Sequence, residues 1–246
     1  MVLLMHYPNA PITEAIIDIR AELPEEMTVA LLGKMHSVEE SAYPSKKSRH
    51  LAMVEGQIGG ATASAFATSK QVGILCLSKD ERQVFQARLD GFTMSRLAPY
   101  ERWEPFRDEA KRLWHVYQSI AKPTCVTRIA VRYINRIDLP LPISELKDYL
   151  RTVPEVSTEL PQQLSGYFMQ IRIPQDDIVA TLLLNEAIIE PVRPGVASVI
   201  LDIDVFRSDA LPTDDDRVWE ILEGLRMRKN EVFEASITNK ARELFR

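Results

Sequence analysis

The chain has only two cysteines, Cys76 and Cys125, in 246 residues. No Cys-x-x-Cys occurs, which excludes a thiol-rich zinc site. Each cysteine sits in an apolar or strand-like run, so two buried free thiols are expected rather than a disulfide. Histidine is sparse as well. His6, His36, His50 and His115 show no metal-ligand spacing, and His115, beside Trp114, reads as a rim or core residue. The one glycine cluster, Gly56-x-x-Gly59-Gly60, lacks the Lys-Ser/Thr of a phosphate loop and reads as a turn or bulge. No Gly-x-Ser-x-Gly is present to mark a nucleophile elbow. No apolar run reaches the ~18 residues of a membrane span. The opening segment, Met1 to Pro11, lacks a basic flank and a small-residue cleavage site, so no signal peptide is expected there and the expected location is cytoplasmic. Positive charge is not in excess: 30 Lys and Arg face 35 Asp and Glu, net −5, so no global field gathers nucleic acid. Lys46 to His50, with Arg226, Arg228 and Lys229, could touch nucleic acid locally; solvated charge is the commoner reading.

What is present is one plan written twice. A long strand leads to a helix, then about three strands, then a long Trp-bearing helix. The passes cover residues 8–122 and 123–246 of a single domain, 1–246, since the joint at Lys122-Pro123 is too short for a free linker. In the first pass Ile12 to Leu23 alternates with period two, the mark of a strand with one buried face. Pro24-Glu25-Glu26 then opens a helix in which Gly33 is a weak point. Lys46 to His50 reads as a short basic loop. Leu51 to Gly60, Ala61 to Phe66 and Gln71 to Leu77 read as strands. Gln83 to Leu97 alternates as one further strand. Trp103, Phe106, Ala110, Leu113, Trp114, Tyr117 and Ile120 recur at helical spacing before Pro123.

The second pass opens with the strand Thr124 to Leu139, followed by a short helix from Ser144 to about Arg151. A polar loop runs to Gln163. Gly166 to Ile173, Ile178 to Ile189 and Ala197 to Phe206 are strands. Asp214-Asp215-Asp216 stands where the positive end of a helix would be, and Val218, Trp219, Ile221, Leu222 and Leu225 supply that helix with an apolar stripe. Ser236 or Thr238 could cap a last turn. The expected fold is α+β: internally duplicated β-α-β-β-β-α units forming one large curved antiparallel sheet with flanking helices, with closure into a barrel as an open alternative. The helices bearing Trp103, Trp114 and Trp219 suit the core or a homodimer interface.

The chemistry lies in the charged alternation. Glu14, Asp18 and Arg20 share a face of the first strand, and Arg128, Arg132, Arg136 and Asp138 a face of its counterpart. Arg88, Asp90, Asp202 and Asp204 lie on neighbouring strands. On one inward face, Arg20, Arg88, Arg128, Arg132 and Arg136 could fork onto phosphate oxygens. Asp202, Asp204, Glu14 and Asp18 could hold a hard divalent cation. The leading expectation is a non-catalytic protein that binds a phosphorylated small molecule or nucleotide there. A metal-dependent phosphohydrolase using magnesium or manganese is the second, and an interaction or accessory protein the third. Opposite charges alternating on adjacent strands also form cross-strand ion pairs that need no ligand.

Four stretches stand out: Asn9-Ala-Pro-Ile-Thr-Glu-Ala15, Asp90-Gly-Phe92 leading to Leu97-x-Pro99-Tyr100 and Trp103, Arg128 to Ile137, and Phe233-Glu-Ala-Ser-Ile-Thr238. In these the chain resembles a sporadically distributed family of bacterial and archaeal proteins with no established reaction. That resemblance implies no cofactor and no catalytic residue. The doubled unit with charged inner walls is also similar to the triphosphate tunnel metalloenzymes, which implies a barrel-like sheet. Their opening Glu-x-Glu-x-Lys is replaced here by Glu14-x-x-x-Asp18-x-Arg20, with Ile16 in the middle position.

Overall fold

The computed structural model describes residues 7–59, 62–162, 164–208, 211 and 215–246, with the side chains of 52–59, 62–68 and 215 excepted. His6, Gly60, Ala61, Gln163 and Asp214 therefore lie outside the described residues. Among the described residues nine strands form a single antiparallel sheet: β1 Ile12–Glu22, β2 Ser45–Gly59, β3 Thr62–Leu77, β4 Gln83–Arg88, β5 Gly91–Leu97, β6 Cys125–Pro140, β7 Phe168–Gln175, β8 Ala180–Ile189 and β9 Val196–Arg207. Their spatial order is β2-β3-β4-β5-β1-β6-β9-β8-β7. The opening strands of the two passes, β1 and β6, are neighbours at the centre, with Ile17 opposite Val131 and Arg20 opposite Arg128. The sheet is not closed: β2 and β7 are its edges, so the barrel alternative is not realised.

Period-two patterning fixes the two faces. On β1, Ala15, Ile17, Ile19 and Ala21 are buried; on β6, Ile129, Val131, Tyr133, Ile137 and Leu139 are buried beside them. This apolar face carries the helices α3 Trp103–Ala121 and α4 Asp215–Ser236. Trp114 and Tyr117 of α3 stack on each other and lie against Phe92 of β5. Each fully buried large side chain contributes about 1.5–3 kcal/mol relative to exposure, so this face dominates the stability. The opposite face bears the charged residues. Among the described residues no helix is long and apolar enough to cross a membrane.

Several local expectations are corrected. Lys46 to His50 is not a loop but part of edge strand β2, paired with β3 from Ser45–Leu77 to His50–Gln71. An edge strand exposed on both faces needs no apolar alternation, and lysines there block edge-to-edge pairing. Gln83 to Leu97 is two strands, β4 and β5. Phe85 pairs with Met94 and Ala87 with Phe92, so the inward positions switch from odd to even numbers across the turn. Gly91 makes that turn with φ +140°, and a Cβ there would lie 2.2 Å from the carbonyl oxygen of Ile19. The first helix begins at Val29, not Pro24, because Thr28 caps it by accepting from the Leu31 amide; it breaks at Gly33 into α1 Val29–Leu32 and α2 Lys34–Glu39. The helix expected over 144–151 is only a 3-10 turn, Leu146–Asp148. Thr238, not Ser236, caps the final α5 Asn239–Glu243. Both cysteines are free, and Cys125 is half-buried rather than buried.

Candidate functional site

Strand register decides what the charged face does. Directly paired residues share a face. Asp18 lies opposite Ala130 on β6 and Thr93 on β5. Arg132 lies opposite Asp204, and Ile134 opposite Asp202. Arg128 and Arg132 therefore reach diagonally to carboxylates on adjacent strands, and Arg88 reaches over β5 to β1. Arg88 Nη2 donates to Asp18 Oδ1 at 3.0 Å, and Arg128 Nη1 to Asp18 Oδ2 at 2.8 Å. Arg128 Nη2 then donates to Asp204 Oδ2 at 2.7 Å. Thr93 Oγ1 donates to Asp18 Oδ1 at 2.8 Å and is itself in contact with Arg88. The result is a continuous chain, Arg88–Asp18–Arg128–Asp204, that spans five strands from β4 to β9. Arg132 grips Asp202 with two prongs, 2.8 and 2.6 Å, and Asn185 donates to the same carboxylate at 2.9 Å.

The other expected residues are more loosely placed. Arg20 is 3.6 Å from Asp18 and Arg136 is 3.4 Å from Asp138. Arg88 also pairs with Asp90 at 2.8 Å. Glu14 contributes to the negative field around Arg132. Burial works to raise the carboxyl of Asp18, but Arg88 and Arg128 outweigh it and hold the group below the usual carboxylate range. Asp204 goes the other way: burial dominates over Arg128 and Arg132 and pushes it up. Its Oδ1 is buried without a hydrogen-bond partner among the described residues.

A hard cation needs several vacant oxygen donors converging on one point. Asp202 already accepts on both oxygens from Arg132, and Asp204 Oδ2 is held by Arg128. Among the described residues no three acidic, histidine or cysteine groups are placed to share an ion. The donor set fits a salt-bridge lattice and not a magnesium or manganese site, so no hydrolytic step through a metal follows from it.

A different site lies on the helix-covered face, where α4 crosses β6. A cleft of about 300 Å³ opens between α4, β6 and the segment leading from β5 into α3. Its floor is Tyr133, whose hydroxyl shares a 2.7 Å hydrogen bond with that of Tyr100. Lys229 of α4 stands over the floor, with Nζ 3.6 Å from the centroid of the Tyr133 ring. This lysine is 7% exposed. No carboxylate or hydrogen-bond acceptor among the described residues holds its ammonium; the ring face is its one close partner. Burial, reinforced by the nearby Arg226 charge, pushes the amine down to about 7. Burial likewise pushes the Tyr100 hydroxyl up to about 12, and that of Tyr133 well above its ordinary value, so both stay protonated.

The walls are held rigidly. Glu223 accepts from Trp103 Nε1 at 2.6 Å and from Arg226 at 3.0 Å. Glu234 accepts from the Tyr7 hydroxyl at 2.8 Å and from Arg242 at 2.9 Å. Asn135 is pinned through Nδ2 to the carbonyls of Tyr133 and Leu201, at 3.3 and 3.0 Å. Glu223 and Glu234 are thus engaged by other groups, and Glu101 and Glu104 also line the cleft.

Sequence reasoning treated Lys229 as one member of a solvated basic cluster. Its signal was there to read: Val218, Leu222, Leu225 and Lys229 follow the four-three-four spacing of one helix face, and the first three are core residues. A lysine continuing an apolar stripe is either snorkelling or deliberately buried. Tyr100 and Tyr133 carried no distinguishing pattern at all. Protein-family models and curated proteins were both compared with the chain, and neither yields a match.

Proposed function

We propose that this protein binds a small anionic molecule, and that the cleft at Lys229 is where it does so. The observation that carries the reading is a buried lysine that no carboxylate among the described residues holds, on the wall of an open cleft. Leaving a cation unpaired in a protein interior is costly unless it has a task. A carboxylate or phosphate entering the cleft would supply the missing partner, with Arg226 and Arg102 on the walls to reinforce it. The volume suits a small metabolite, at the lower end of known ligand sites. Trp103 lines the same cleft, so its fluorescence reports occupancy. Titration with a panel of small carboxylates and phosphates is expected to perturb that emission in the wild type and not in Lys229→Met. Absence of any response, with no calorimetric heat, across the whole panel overturns the reading.

A second reading places a phosphorylated small molecule or nucleotide on the charged sheet face. Arg132 and Arg136 favour it, because their side chains remain 42% and 36% exposed at one end of the lattice. Arg136→Ala would then abolish nucleotide binding with little loss of stability; an intact protein that binds no nucleotide ends this reading. We also infer that the two passes are copies of one unit. The strand order supports this: each half runs outward from the central pair with its last strand first, β5-β4-β3-β2 on one side and β9-β8-β7 on the other.

A further inference from the structure

We propose that Lys229 captures a small carbonyl compound, a 2-oxo acid above all, as an imine within this cleft. The inference rests on the cleft being the ligand site and adds what the ligand must be. An amine attacks a carbonyl only through a free lone pair, and most protein lysines lack one because water and carboxylates keep them protonated. Lys229 has neither an ion-pair partner nor a hydrogen-bond acceptor around Nζ among the described residues, and it faces open volume. Desolvation by burial beside a second cation, here Arg226, is the arrangement that activates an amine as a nucleophile.

The rest of the cleft supplies what imine formation needs. The Nζ lone pair adds to the carbonyl carbon, the C=O π pair moves to oxygen, and an Nζ proton reaches that oxygen to give a carbinolamine. The hydroxyl then takes a second proton from the tyrosine pair, the C–O bond breaks, water leaves, the C=N bond forms, and the remaining Nζ proton returns to the pair. The sum is R₂C=O + Lys-NH₂ → R₂C=N-Lys + H₂O, with no oxidant or reductant. The Tyr100–Tyr133 hydroxyl pair, protonated and hydrogen-bonded at 2.7 Å, lines the same cleft and serves as proton donor and acceptor. Arg226 and Arg102 provide positive charge for the carboxylate of a 2-oxo acid, which a plain aldehyde lacks.

The test is reductive trapping on the whole chain. The protein is incubated with glyoxylate or pyruvate and sodium cyanoborohydride at pH 7, and the adduct is mapped by peptide mass spectrometry. The expected result is one adduct on Lys229, formed at least ten times faster than on any other lysine. Lys229→Met loses it, and Tyr100→Phe slows it at least fivefold while leaving the melting temperature within a few degrees. Labelling spread evenly over the surface lysines of the wild type overturns the proposal, whether or not Lys229→Met folds. Trp103 fluorescence titrated with acetate and lactate, which cannot form imines, separates the two readings. A response without trapping sinks the imine and keeps the anion site; no response and no trapping sinks both.

Discussion

Lys229 Nζ rests 3.6 Å above the ring of Tyr133, and that ring, not a carboxylate, is what the buried ammonium faces. The face of an aromatic ring attracts a cation, worth about 2 kcal/mol when both are desolvated. That is less than the several kcal/mol of desolvation an interior cation loses. The pairing therefore eases the burial of Lys229 without cancelling it, and the amine is pushed down to about 7, where charged and neutral forms coexist.

Replacing this lysine should stabilise the fold. Lys229→Met keeps the length and the apolar stem and removes the charge. The folded pKa, about 7, lies below the ordinary 10.5, so the unfolded chain binds more protons between these values. Wild-type stability from this group consequently rises with pH across that window, by about 1.4 kcal/mol per pH unit. The advantage of Lys229→Met in thermal melts is expected to be largest at pH 6 and to shrink steadily toward pH 10. An advantage that does not change with pH would mean that Lys229 is charged and solvated.

Asp18 should behave in the opposite sense. It links Arg88 to Arg128 in the lattice, and its carboxyl is held below the usual range. Its contribution is present above the unfolded carboxylate pKa and is lost as pH falls through the lower folded one. Asp18→Asn leaves two buried guanidinium groups short of a partner and is expected to cost about 3 kcal/mol at pH 7. The gap to wild type should narrow below pH 4 in denaturant titrations.

Glu186 offers a third titration. It is buried on β8 with the Tyr167 hydroxyl as its hydrogen-bond donor, and burial pushes its carboxyl up to about 7. A raised acid holds its proton longer in the folded state, so stability falls as pH rises from 4.5 toward 7 and the full penalty applies above that. Glu186→Gln keeps an acceptor for Tyr167 and removes the charge. It should match wild type at pH 4 and exceed it at pH 8, as read by chemical denaturation.

The β4–β5 turn is a backbone test. Gly91 has φ +140°, and an added Cβ would stand 2.2 Å from Ile19 O and 2.7 Å from Arg20 Cα. Both neighbours are backbone of β1, which cannot rotate away. Gly91→Ala is expected to cost about 3 kcal/mol or more and to disturb the β1–β5 pairing beside Asp18. Amide hydrogen exchange of β1 and β5 would show it; unchanged protection would mean that the turn relaxes freely.

The linear pattern of residues settles the strands with one buried face, the Trp-bearing helix α3 and the parity of the charged residues. Those follow from short-range stereochemistry: side chains alternate along a strand and recur every three or four residues along a helix. Asp18 and Arg132 could thus be assigned to a polar face before any coordinates. Which carboxylate each arginine would meet could not, because partners across a sheet are set by register and by the reach of long side chains over a neighbouring strand. Tertiary structure alone paired Asp202 with Arg132 and Asp204 with Arg128, turning an expected metal and phosphate wall into a largely self-neutralised lattice. It alone also set Lys229 over Tyr133 and brought Tyr100 to the same hydroxyl pair. The packing of α4 across β6 makes that meeting, and no local pattern encodes it, since burial and the absence of a counter-charge belong to the assembled fold and not to any one segment.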